Sequence, residues 1–136
     1  MTKDEILSEG RIYCSLTNDL TQSWKMVLDW RHISQASLSR RIGISERTIS
    51  LIVQGKRKGE VETIVLMCLG ANLPYLISSH IMSLSGINLV PSREDHCIFL
   101  HLLQTHYKDS ISSIREYLLD IGSDLYMIFP VENELH

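Results

Sequence analysis

The chain has 136 residues, 44% of them hydrophobic and 21% charged, and carries a formal net charge of −3. That length fits one compact domain, or a small module with an accessory piece, and the apolar content excludes a disordered chain. No apolar run approaches the roughly 18 residues that a membrane span needs, and the opening MTKDEILSEG has no signal-like apolar region, so a cytoplasmic protein is expected.

Only three prolines and seven glycines punctuate the chain. Apolar residues recur at spacings of three and four with no strand-like alternation, which predicts an all-α fold. The spacing predicts a first helix over Lys3 to Leu16, with Ile6, Tyr13, Leu16 and Leu20 as its apolar side and Gly10 weakening it. A second covers Thr21 to Arg31 and places Trp24, Val27 and Leu28 on one stripe. Two short helices then flank Gly43. In EVETIVLMCLGAN, Val61, Ile64, Val65, Cys68 and Leu69 define an amphipathic helix. Pro74 suits the first position of a helix running through Ile77, Ile81 and Leu84, which Gly86 can close. Ser92 followed by Asp95 resembles a capping box and predicts a helix to about Tyr107. Ser110 caps a last helix carrying Ile111, Ile114, Leu118 and Ile121, with Gly122 at its end and a tail after Asp124.

Charge is unevenly spread. Arg31, Arg40, Arg41, Arg47, Lys56, Arg57 and Lys58 face a single acid, Glu46, within residues 31–58, a net +6 that leaves −9 elsewhere. A basic segment on an acidic body is the electrostatic footprint of a phosphate-contacting surface. The same segment has a distinctive spacing. Leu38 and Ile42 lie one turn apart, and Gly43 follows where a chain leaves a helix most cheaply with positive φ. Ile44 is apolar and fits between two helices, and Ser45 is an N-cap for the next one, which buries Ile49, Ile52 and Val53. The opposite face carries Glu46, Arg47, Ser50, Leu51 and Gln54, while Ser39 is small where the helices cross. This is a helix-turn-helix pattern.

The stretch ISQASLSRRIGISERTISLIVQGK resembles the helix-turn-helix of the Cro/Xre-type family of bacterial and phage repressors. The family's Leu-Thr-Gln opening appears as Ile33-Ser34-Gln35, its Thr-Ile-Ser as Thr48-Ile49-Ser50, and its Asn-Gly-Lys close as Gln54-Gly55-Lys56. Ser39 stands where the family usually has alanine and Val53 where it usually has glutamate. The likeness covers about residues 21–73. It implies a lambda-repressor-like five-helix DNA-binding domain over residues 19–90, preceded by a helical extension (1–18) and followed by a C-terminal helical pair with a short tail (91–136).

The resemblance further implies that the helix beginning at Ser45 lies in the major groove of double-stranded DNA. Glu46 and Arg47 would reach base edges, with Ser50 and Leu51 one turn on. Glu46 has an equal rival role as a first-turn acid on the helix dipole. Gln35 is placed to bond a phosphate, and Arg40, Lys56, Arg57 and Lys58 are backbone clamps, with Arg41 a weaker one. The expected function is a sequence-specific transcriptional regulator acting on a palindromic operator. The alternative is an antitoxin-like module whose main partner is a protein.

Other chemistry is sparse. Cys14, Cys68 and Cys97 are odd in number and widely spaced, which excludes a disulfide framework; each sits among apolar residues and is expected to be a buried thiol. Cys97 and His101, with His96 and His106 near, fall short of a four-ligand zinc pattern, so no metal is expected. No nucleophile–base pair, phosphate loop or carboxylate pair is present, so neither enzymatic activity nor a cofactor is expected. Finally, Ile98, Phe99, Leu100, Leu102 and Leu103 make the helix from Arg93 to Tyr107 apolar almost all round. Tyr117, Leu118, Leu119 and Ile121 follow, and then Leu125 to Phe129. That surplus suggests a homodimer through residues 93–136, against the plainer alternative that it packs on the rest of the chain.

Overall fold

The structure, a computed structural model, describes residues 1–131; the end of the expected tail, residues 132–136, lies outside the described residues. Eight α-helices follow one another: α1 (Lys3–Ser15), α2 (Leu20–Trp30), α3 (Gln35–Ile42), α4 (Glu46–Val53), α5 (Val61–Gly70), α6 (Tyr75–Leu84), α7 (Glu94–Thr105) and α8 (Ile111–Asp120). A short 3-10 helix spans Asp124–Ile128, and there is no strand among the described residues. The fold is all-α, and none of these helices is long and apolar enough to cross a membrane.

Most helix starts have a local chemical cause. Asp19, Ser34, Ser45 and Ser110 each accept a hydrogen bond from the backbone N–H three residues on, at 2.7, 3.0, 3.2 and 3.2 Å. Thr2 and Glu5 form a reciprocal capping box at the start of α1. Two expected starts are corrected. Ser92 caps nothing, because the cap position of α7 is Arg93, whose side chain has no acceptor to offer. The Asp95 carboxylate instead accepts from the backbone N–H of His96 and pairs with Arg93 at 3.0 Å. Pro74 stands one place earlier than expected, as the N-cap of α6 with ψ 154°, so Tyr75 is the first helical residue.

The centre of the fold is α5. Every residue from Ile64 to Ala71 is buried, so beyond its exposed first turn at Glu62 this helix is covered on all sides and not amphipathic as its spacing suggests. Val61, expected on its inner stripe, is only half-buried. α5 packs against α3, α6 and α7, while α2 packs against α4 and α6. The crossing with α3 is close. A Cβ built on Gly70 would run into Ile42 Cγ2 and sit 3.0 Å from Leu38 Cδ1, so glycine is required there for its lack of a side chain.

The C-terminal apolar surplus is absorbed by the same core. Phe99, Leu102, Leu103, Ile111, Ile114 and Leu118 join the buried cluster that contains Trp24 and Ile49, leaving Leu119, Ile121 and Met127 exposed. The segment expected to be a tail is ordered as the 3-10 helix, which packs on α8, and Phe129 beyond it is 1% exposed. The expectation of three buried thiols holds only for Cys68; Cys14 and Cys97 are exposed. α1 has no fully buried residue. Ile12 packs half-buried against the core, and polar contacts add to this: Trp30 Nε1 donates to Ser8 Oγ at 3.0 Å and the Tyr107 hydroxyl donates to Glu9 at 3.1 Å.

Two consequences follow for stability and reactivity. Gly70→Ala is expected to lower the unfolding free energy by about 1–2 kcal/mol in denaturant titration, although alanine is the better helix former, because overpacking outweighs propensity; a more stable variant would contradict the close crossing. Burial pushes the Cys68 thiol up to about 12, against the opposing hydrogen bond to Ser78. With a thiol reagent at pH 8, Cys14 and Cys97 are expected to react at once and Cys68 only on unfolding.

Candidate nucleic-acid interface

The turn between α3 and α4 is built as its spacing predicts. Gly43 has φ +72° and its N–H closes α3 on the Ser39 carbonyl at 2.9 Å. A Cβ there would also make a tight contact, 3.3 Å from Pro130 Cβ. Ile44 is half-buried against the core. The Ser39 hydroxyl, where the resembled family usually has a methyl group, donates to the Ile44 carbonyl at 2.6 Å and ties the turn to α3. Ser45 Oγ accepts from the Thr48 N–H at 3.2 Å and donates to Thr48 Oγ1 at 2.9 Å. Leu38 and Ile42 of α3 and Ile49, Ile52 and Val53 of α4 are all buried. Val53 thus sits at a core position, where the family's glutamate would have no room in this chain.

With that face locked inward, α4 presents Glu46 and Arg47 fully to solvent on its first turn, and Ser50 and Leu51 half-exposed one turn on. Gln54 Nε2 donates to Ser50 Oγ at 2.8 Å, so the Ser50 hydroxyl is already engaged. α4 then closes on itself: Gly55 takes φ +72°, and the N–H groups of Lys56 and Arg57 both reach the Leu51 carbonyl, at 2.9 and 3.2 Å. This closure fixes the direction in which the exposed Lys56, Arg57 and Lys58 leave the helix. Gln35 is the first residue of α3, half-exposed beside the cap Ser34.

The cations of the basic segment divide into two groups. Arg31 is half-buried; its Nε donates to the Asn72 carbonyl at 3.0 Å, its guanidinium lies over Trp30, and Glu9 is 4.0 Å away. Burial holds its pKa below the ordinary guanidinium value, with Glu9 working in the opposite direction. Arg41 Nη1 donates to the Gly70 carbonyl at 2.9 Å and to Asn72 Oδ1 at 3.1 Å. Both arginines are thus tied to main-chain or amide oxygens of the fold. Lys58 places its ammonium near Gly86, the residue that closes α6, where exposed helix carbonyls favour a cation. Arg40, Arg47, Lys56 and Arg57 are exposed and have no ion pair among the described residues. Arg47, Lys56 and Arg57 belong to α4 and its exit; Arg40 instead lines a cleft beside α8.

Asn72 is the residue that sequence reasoning missed. It takes φ +55°, its amide donates to the carbonyls of Tyr107 at 3.0 Å and Asp109 at 3.4 Å, and it receives both arginines. Its only sequence signal was an asparagine just beyond an apolar helix, one of the few residues that enter left-handed space cheaply.

The Cys97–His101 stretch is arranged for packing. His96 is buried and its Nδ1 accepts from the Val90 N–H at 2.9 Å. His101 Nε2 lies 2.8 Å from the Tyr117 hydroxyl, and His106 stacks on that ring with centroids 4.2 Å apart. Among the described residues, no three His, Cys, Asp or Glu side chains converge in a way that could hold a metal ion.

No protein-family model, no curated protein and no solved structure matches this chain. The turn geometry itself is testable. Ser45→Ala removes the cap of α4 and is expected to cost about 1 kcal/mol of stability in thermal or denaturant unfolding, whereas Ser45→Asp retains it; equal loss from both substitutions would remove the capping explanation.

Proposed function

We propose that this protein is a sequence-specific DNA-binding regulator of transcription that lays the outer face of α4 in the major groove. The observation that carries the reading is the pairing of two features on one short helix. Its inner side is fixed by Ile49, Ile52 and Val53, and its outer first turn, Glu46 and Arg47, is exposed and followed at the exit by Lys56 and Arg57. In this reading helices α2 to α6 are the DNA-binding unit, arranged as in lambda-repressor-like domains.

Each side chain then has a role set by its chemistry. Arg47 donates two parallel N–H groups to guanine O6 and N7, and Glu46 accepts from cytosine N4 or supports the helix dipole. Leu51 offers an apolar surface to a thymine methyl. Ser50, held by Gln54, contributes its hydroxyl through that pair. Gln35 bonds a phosphate at the start of α3, and Lys56 and Arg57 grip the backbone. Lys58 and Arg40 stand farther from this contact in the reading, one drawn to Gly86 and the other to the cleft beside α8. Occupancy of an operator, without chemistry, would regulate the gene.

A single reading helix contacts few base pairs, so two copies on a palindromic site are part of the proposal. In residues 93–131 Leu119, Ile121 and Met127 remain as exposed large apolar side chains, which a second copy would cover in this reading.

The test uses a duplex selected from random sequences. Arg47→Ala is expected to cost about 1–3 kcal/mol on that duplex and to relax one base pair per half-site. Lys56→Ala is expected to weaken binding to selected and random duplexes alike and to reduce the log–log salt slope by about 1. An unchanged preference in the first variant, or a changed preference at undiminished affinity in the second, would overturn these assignments.

A further inference from the structure

A second concave surface, separate from the outer face of α4, lies between α3, the end of α5 and the start of α8. It is a cleft of about 650 Å³ whose walls carry three cations, Arg40, Arg41 and Lys108. That volume is in the range of small-molecule sites, several times what a lone inorganic anion fills.

The charge in this cleft is only partly neutralised. Arg41 is fixed by two uncharged acceptors, the Gly70 carbonyl and Asn72 Oδ1, and Asn72 is in turn fixed by the carbonyls of Tyr107 and Asp109. A guanidinium anchored through one nitrogen keeps its full charge and its remaining donors for another partner. Arg40 is exposed and has no hydrogen bond or ion pair among the described residues. Lys108 pairs with Glu5 at 3.4 Å, but both side chains are about half exposed, and such a pair gives way readily to a stronger acceptor. One acid, Asp109, opposes the three cations. The Ser37 and Ser110 hydroxyls add polar contacts, while Leu69, Ile111 and Pro130 supply an apolar surface beside them.

We infer that this cleft binds a small phosphomonoester of nucleotide size, its phosphoryl group against Arg40, Arg41 and Lys108 and its organic part on Leu69, Ile111 and Pro130. The site stands independently of DNA binding by α4. The concave shape favours a compact ligand over a duplex backbone, which runs past a surface and does not end in it.

The full chain, labelled for ¹H–¹⁵N spectroscopy, is titrated with AMP, adenosine, inorganic phosphate and a random duplex at constant ionic strength. AMP is expected to shift the amides of Ser37 and Ser110 saturably and at least about tenfold more tightly than adenosine, the scale of one charge-assisted contact. Arg40→Ala and Lys108→Ala, both at exposed positions, each weaken AMP several-fold while amides remote from the cleft keep their positions, and Asp109→Asn tightens it. Adenosine equal to AMP, affinity unchanged by all three substitutions, or no saturation by 10 mM would overturn the site. So would a duplex that shifts these amides when AMP does not, which assigns the cleft to a nucleic-acid backbone.

Discussion

Seven consecutive residues of α5, Ile64 to Gly70, and its cap Ala71 are buried, and the neighbouring helices are arranged to cover them. A helix buried beyond its first turn needs neighbours on all sides. α3, α6 and α7 supply them, and α2 braces α4 and α6 around the same cluster. The tightest of these contacts is at Gly70, where α3 approaches too near for a β-carbon. Because α3 is fixed there, the Gly43–Ser45 turn and the inward stripe of α4 are fixed too, and the outer face of α4 inherits a defined direction. Specific recognition of any rigid partner needs such preorganisation.

The end of α5 adds a polar counterpart. Asn72 gathers Arg31 and Arg41 on one side and the α7–α8 connection on the other. Its left-handed backbone is one that asparagine tolerates better than most residues, and four hydrogen bonds hold it there. The same gathering sorts the basic segment. Arg31 and Arg41 are tied to carbonyls of the fold, Arg41 with Arg40 also lines the cleft, and Arg47, Lys56 and Arg57 lie on α4 and its exit. The segment's net charge of +6 therefore does not describe one continuous binding patch.

Local structure was legible in the sequence wherever its cause is local. Gly43 and Ser45 announce the turn because positive φ and N-capping act within three residues, and the all-helical class follows from apolar spacing alone. What the sequence concealed is what depends on distant partners. Leu66 and Met67 lie off the apolar stripe of α5 and are buried because α3, α6 and α7 close around the helix. Phe99, Leu102 and Leu103 read as a surplus open either to a second copy or to packing on the same chain, and the same chain covers them. Ser92 imitates a cap by spacing, but the chain enters α7 one residue later. Cys14 and Cys97 sit among apolar neighbours in sequence and face solvent in space. For the outer face of α4 the residues were legible and the division of the cations was not, since Arg31 and Arg41 are bound by carbonyls contributed from Gly70 and Asn72.

The central claim is that the outer face of α4 and its basic exit form the surface that meets DNA. Titrating the labelled chain with a selected duplex and mapping the amide shifts tests it most directly. The account predicts that the largest shifts cluster at Gln35, at Glu46 to Leu51 and at Lys56 to Arg57, with the α7 and α8 amides little changed. Shifts centred on α7, α8 or the Asp124–Ile128 turn, with α4 silent, would contradict it.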